Sequence, residues 1–195
     1  EDWRFRMVTP PKGDVASVPV TAEARRVADA WDPDKDIAAG QQCKSYGVGG
    51  IIRQPGRIHI TWQDDTTLKM ETDAGQQTRL FHFGAWKAPA GPRTLQGNSV
   101  AEWEGGGRGS TDGSMKVTTT NLKAGYLRKN AVPYSENAQL GEYYEVITGP
   151  DGSSLLVVTI SVTDPQYLRQ TFVVTSHFKK EPDGSKWAPA PCKAS

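Results

Sequence analysis

The stretch from Gly141 to Lys179 most constrains the fold. It reads as three strand-like runs separated by two sharp turns, Gly149-Pro150-Asp151-Gly152 and Asp164-Pro165. Tyr143, Tyr144, Val146 and Ile147 are aromatic or β-branched and suit a pleated, half-buried surface. In the first turn, proline presets φ, the aspartate side chain bonds its own backbone, and glycine tolerates positive φ. Leu155 to Val162 is nearly all apolar, with Thr159 and Ser161 entering on one parity. Its short length, flanking turns and Val/Ile/Thr content select a strand over a buried helix. Pro165 cannot donate to a ladder and ends the run. Phe172, Val174, Ser176 and Phe178 then alternate with Thr171, Val173, Thr175 and His177. Strands joined by turns this tight pair antiparallel.

The same pattern recurs upstream. In residues 57–63, Ile58, Ile60 and Trp62 oppose His59, Thr61 and Gln63. In residues 67–72, Leu68 and Met70 oppose Lys69 and Glu71, and in residues 77–83, Arg79, Phe81 and Phe83 oppose Leu80 and His82. Turns at Asp64-Asp65 and Asp73-Ala74-Gly75 separate these runs. Two more short strands, residues 100–104 and 115–120, flank a Gly-rich excursion at 105–114. One helix precedes them all. Thr21 caps Ala22 to Trp31, whose Val27, Ala30 and Trp31 form an apolar stripe, and Asp32-Pro33 ends it. Asp32, Asp34 and Asp36 imitate the start of a calcium loop, but Ile37 and Cys43 stand where glycine and glutamate are needed, so a solvated loop is expected.

About eight sequential strands must hide their edges, and closure does so. The sequence therefore predicts an all-β fold: an antiparallel up-and-down barrel of about eight strands with one short N-terminal helix. Residues 1–195 read as a single domain, with an arm at 1–20, the helix at 21–31, the barrel at 57–179 and a Pro-rich tail at 180–195. A barrel of this size has room for one small ligand.

Composition removes several function classes. The net charge of +1 implies no nucleic-acid partner. No apolar run approaches the roughly 20 residues of a membrane helix, so no membrane span is expected. No G-x-G-x-x-G motif opens a helix, and no nucleotide or other cofactor is expected. Glu1 in place of Met fits a processed N-terminus. Cys43 and Cys192 are the only two cysteines, and an even count in an exported protein reads as one disulfide rather than two unrelated buried thiols. Neither has a metal-ligand partner at the right spacing, and no metal site is expected.

The candidate chemistry lies on the strands and in one long loop. His59, Lys69, Glu71, His82, Glu142, Tyr144 and His177 belong to a semi-polar set. Facing inward it would line a polar pocket; facing outward it is a solvated wall. His82 or Glu71 is the candidate general base, Tyr144 or Tyr134 the acid, and Lys69 or Arg128 the group that steadies an oxyanion. Trp62 and Trp86 can line an aromatic pocket or pack the core. Residues 121–138 carry Tyr126, Arg128 and Tyr134, which suit a lid over a barrel mouth or a loop pinned by its own polar contacts. His59 and Lys69 complete the ligand-binding candidates.

Four segments carry a resemblance: KSYGVGGIIR with RIHITWQDDTTLKMETDAGQQTRLFHFG, VTTTNLKAGYLRKNAVPYSENAQLGEYYE, VTDPQYLRQTFVVTSHFKKE, and WAPAPC. Together they resemble a family of exported bacterial proteins of unassigned activity, common in proteobacteria with large catabolic repertoires. The resemblance spans about residues 20–195. Where broader relatives carry a WEGD-like turn, this chain has Trp103-Glu104-Gly105 and the Gly-rich insertion. It implies a periplasmic or secreted protein with a lipocalin- or calycin-like barrel and carries over no catalytic residues. Three functions follow as expectations. The first is binding of a small aromatic or apolar molecule in the barrel. The second is a cofactor-free lyase, isomerase or dehydratase, and the third a structural envelope protein.

Overall fold

The computed structural model describes residues 8–105 and 113–194. The start of the arm, most of the Gly-rich excursion and Ser195 lie outside the described residues. Among the described residues, the first elements are two helices, α1 (Ala22–Ala30) and α2 (Pro33–Ala38). Ten strands follow: β1 (Ile58–Trp62), β2 (Thr67–Thr72), β3 (Thr78–Phe83), β4 (Asn98–Glu104), β5 (Ser114–Thr120), β6 (Gly125–Tyr126), β7 (Pro133–Tyr134), β8 (Gln139–Thr148), β9 (Ser154–Thr163) and β10 (Phe172–Lys179). Thr21 caps α1 by accepting from the Ala24 amide at 3.2 Å. Asp32 does not end the helical region. Its carboxylate accepts from the Asp34 amide and, with Pro33 in the first turn, starts α2.

Eight strands form one curled sheet in the order β1-β2-β3-β4-β5-β8-β9-β10, while β6 and β7 pair separately. The barrel-like all-β fold is therefore present, with two departures from an up-and-down barrel. First, β3 and β4 run parallel, with Phe81 beside Ser99 and Phe83 beside Ala101. Residues 84–97 carry the chain back between them, a span of the length a parallel connection requires. Second, β1 and β10 each pair with only one neighbour among the described residues, so the sheet is a half-barrel with two edges.

The C-terminal tail deals with this open seam. It leaves β10 beside the start of β9, where the Lys180 amide donates to the Ser154 carbonyl. Trp187 then lies edge-on to His59 of β1, 6.1 Å between ring centres, and Ala190 bridges to Ala74 just beyond β2. Cys192 closes the strap through its disulfide to Cys43. Asp73 is the anchor: its carboxylate accepts from the Arg57 amide, and its carbonyl accepts from the Ala190 amide.

One parity of every sheet strand faces the core. Met70, Phe81, Ala101, Val117, Leu140, Val158, Ile160 and Val162 are all buried in one hydrophobic cluster. The hollow of the half-barrel is filled rather than open. Ser45–Gln54, which makes two short 3₁₀ turns, and the β6–β7 hairpin are buried almost throughout and share that cluster through Val48, Ile51, Ile52, Leu127, Val132 and Tyr134. The glycines of this plug permit the packing. A Cβ on Gly47 would stand 2.3 Å from the Tyr134 hydroxyl, and one on Gly125 would stand 2.5 Å from it. Much of the 121–138 loop, read as a lid or as a loop pinned by its own contacts, is thus part of the core, and so is the Gly-rich segment 45–54.

Candidate functional site

Parity sorts the sequence candidates first. His59, Lys69, Glu71, His82 and His177 lie on the outward parity, whereas Tyr144 and Glu142 face the core. The trio His82, Glu71 and Tyr144 therefore does not converge. Tyr144 is on the opposite face of the sheet, and along the shared β2–β3 ladder His82 stands opposite Thr67 while Glu71 stands opposite Thr78. Glu71 instead joins a surface cluster, 3.0 Å from Lys69 and 3.6 Å from His59. Lys69 and His59 lower its pKa, Lys69 the more. Among the described residues no three metal-ligating side chains cluster.

The remaining binding candidates divide. Trp62 points to the core face and packs on Phe83, which in turn stacks on Trp103. Tyr126 donates to the Asp36 carboxylate at 2.8 Å, and Trp31 donates to the same group at 2.9 Å. Arg128 and Tyr134 are buried in the plug. These side chains hold the fold together. Trp86 lines a cavity, together with His82.

That cavity is a cleft of about 410 Å³ on the β3 side of the parallel pair. Its position follows from the register. Pairing of β3 with β4 begins only at Phe81 and Ser99, so Thr78, Arg79 and Leu80 on one side and Gln96, Gly97 and Asn98 on the other line a space between the strands. The connection adds Trp86, Pro89 and Thr94. The Trp86 indole stacks on the His82 imidazole, ring centres 3.9 Å apart and planes within 10°. His82 Nδ1 lies 3.4 Å from the Thr67 hydroxyl. Burial lowers the His82 pKa, and the charge of Asp64 opposes this only in part.

The sign of the pH effect follows. A depressed folded-state pKa means that the neutral stack is fully formed above the unfolded imidazole value of about 6.5 and weakens as pH falls through the folded one. An NMR titration of the His82 ring should give an apparent pKa below 6.5, with the Trp86 indole resonance following it. An apparent pKa above 6.5 would contradict the neutral stack.

Behind the cleft lies a network that the sequence reading did not assemble. Arg79 clasps Glu142 through both terminal nitrogens, at 2.8 and 2.5 Å. Tyr144 donates to Glu142 at 3.0 Å and accepts from Arg79 at 3.3 Å. Ser99 and Thr119 bond each other at 2.8 Å and accept from the second Arg79 nitrogen. Burial, the largest single influence, would lower the Arg79 pKa, but the Glu142 charge, Tyr144 and the hydrogen bonds to both together raise it. Burial and the Glu142 charge push the Tyr144 hydroxyl well above its usual value. The signal was visible in part: Arg79 shares a parity with Phe81 and Phe83, and Glu142 shares one with Leu140 and Tyr144. A charge on an apolar parity needs a partner, and each of these is the other's.

Arg79 and Ser99 belong both to this network and to the lining of the cleft. The site therefore combines a flat aromatic wall, apolar Leu80 and Pro89, an amide and hydroxyl rim, and a rigid polar base. No family model, curated protein or solved structure matches the chain.

Proposed function

We propose that this is an exported binding protein that holds a small, planar molecule with an aromatic or apolar face in the β3–β4 cleft. The observation that carries the reading is the cleft itself, walled by a Trp86 ring that His82 holds flat. Its volume lies in the range of small-molecule sites, and a few fixed polar groups on an otherwise apolar wall are what such sites use for orientation. The ligand seat is at the β3–β4 junction, because the half-barrel interior is filled by the plug. The acid–base alternative retains only His82 at the cleft; Glu71 and Tyr144 lie elsewhere. The disulfide suits an oxidising compartment, which supports a periplasmic or secreted location.

The test is a ¹H–¹⁵N NMR titration with planar probes such as naphthalene, quinoline and quinolinone. Binding should shift the Trp86 indole N–H, and Trp86→Ala should weaken the affinity about tenfold or more, in line with loss of a stacking partner and its buried area. Trp86 is half-exposed, so this variant should fold. Binding that leaves the Trp86 signal and the variant's affinity unchanged would move the site away from the cleft.

A further inference from the structure

Near the turn at residues 149–152, β9 is apolar on both parities. Leu156 and Val158 face the core, while Leu155 and Val157 face out. An antiparallel sheet with one face in water alternates apolar with polar, and a run that is apolar on both parities is the pattern of a strand covered on both sides. The neighbouring strands extend this outer patch. Ile147 of β8 stands beside Leu155, and Val173 of β10 stands beside Ser161. Ile147 and Val173 are 45% and 58% exposed, and Tyr143, Leu155 and Val157 are half-exposed. The hydroxyls between them are engaged within the sheet: Thr159 and Thr175 bond each other at 3.0 Å, and Ser161 donates to the Gly141 carbonyl at 3.1 Å. A contiguous apolar face of this kind is a docking surface.

The charges on the face say what docks there. Glu145 on β8 stands beside Val157, and Lys179 on β10 stands beside Leu155, so acid and base flank the apolar stripe from opposite sides. Both are exposed, and neither forms an ion pair among the described residues. The Asp151 carboxylate, which feels Lys179, is itself held by the Ser153 amide and hydroxyl. A twofold axis running close to β9 turns the face over and lays β8 of one protomer across β10 of the other. Acid then meets base twice. An isologous interface has to be self-complementary in this way, and opposite charges at its rim fix the register.

We infer that the outer face of β8, β9 and β10 packs on the same face of a second copy of this chain. Ile147, Leu155 and Val157 lie at the centre of this symmetric dimer, and Glu145 of each protomer faces Lys179 of the partner subunit. The β3–β4 cleft stays outside the interface, because β5 separates β4 from β8. The inference is therefore independent of what the cleft binds.

Sedimentation equilibrium of the full chain over a concentration series tests it, and should show a monomer–dimer equilibrium. Glu145→Lys and Lys179→Glu should each weaken dimerisation about tenfold or more, because each sets like charges against each other at two symmetric contacts. An equal mixture of the two variants should dimerise again, since each supplies the charge that the other has lost. Leu155→Lys, which places a charge at the centre, should leave a monomer. All three positions are exposed or half-exposed, so the variants should fold, and an unchanged circular dichroism spectrum checks this. A protein that stays monomeric throughout the series overturns the inference and leaves the face to another partner or to solvent. A dimer that survives Leu155→Lys uses a different surface and also overturns it. A dimer lost in both charge variants but not recovered in their mixture refutes the twofold pairing of acid with base.

Discussion

Replacing Glu142 with glutamine should destabilise the protein by about 3–5 kcal/mol, the cost of breaking a buried ion pair from one side. Both partners are shielded almost completely, with side-chain exposures of 1% for Arg79 and 0% for Glu142. Glutamine keeps the shape but leaves the Arg79 charge uncompensated among Phe81, Ser99 and Thr119. It also takes a carboxylate acceptor from Tyr144. Urea denaturation should show a lower midpoint with an unchanged slope. The triple variant Arg79→Met, Glu142→Leu, Tyr144→Phe is the informative partner. Apolar replacement of a buried pair is often neutral or stabilising, so the triple variant should be clearly more stable than Glu142→Gln. If the triple is as unstable as the single, the network's contribution lies in shape rather than in charge. If Glu142→Gln costs less than about 1 kcal/mol, the pair is not shielded as described.

Changing Cys43 and Cys192 together to serine should cost about 4–5 kcal/mol in the chain-entropy account, because the bond closes a loop of 149 residues. The loss should have a location as well as a size. The tail runs from the end of β10 to the β1 side of the sheet, through Trp187 on His59 and Ala190 beside Ala74. Without the disulfide, hydrogen exchange should rise in residues 187–194 and at the β1 edge before it rises in β8 and β9. Uniform protection across the sheet in the serine variant would show that the seam holds without its strap. A thermal shift on reduction that is absent in the serine variant would confirm that the bond itself is responsible.

The strands were legible for a physical reason. Alternation is a local property, and turn residues such as Asp151 act within three residues of themselves. Asp151 does accept from the Ser153 amide at 3.0 Å, and the β8–β9 ladder runs in register from Gln139–Thr163 to Thr148–Ser154. Residues 67–72 are β2 with the expected bounds, and residues 77–83 give β3 with one residue fewer. Cys43 and Cys192 do form the bond that their count suggested. Of the sequence candidates, His82 and Trp86 are the two that line the cleft. Their stacking depends on where residues 84–97 turn back, which no periodicity encodes.

Other features resisted the sequence for equally definite reasons. The parallel step from β3 to β4 has no helix to announce it, so the segment between them read as an ordinary long loop. The segments 43–56 and 121–138 look irregular and polar because glycines there make room for Tyr134 and because their polar groups are bonded internally. Gln96 carries no local signal at all; its role comes from the Tyr46 carbonyl, 50 residues away.

The sequence by itself determined the eight strands of the main sheet, their alternating faces, the turns between most of them and the disulfide, since each depends on neighbours along the chain or on simple pairing. Only the tertiary structure decided which face is inside, that a plug fills the half-barrel, and that the open cleft lies at the β3–β4 junction beside the Arg79–Glu142 pair. Those outcomes depend on contacts between residues tens of positions apart, where burial and charge compensation, rather than local propensity, select the arrangement.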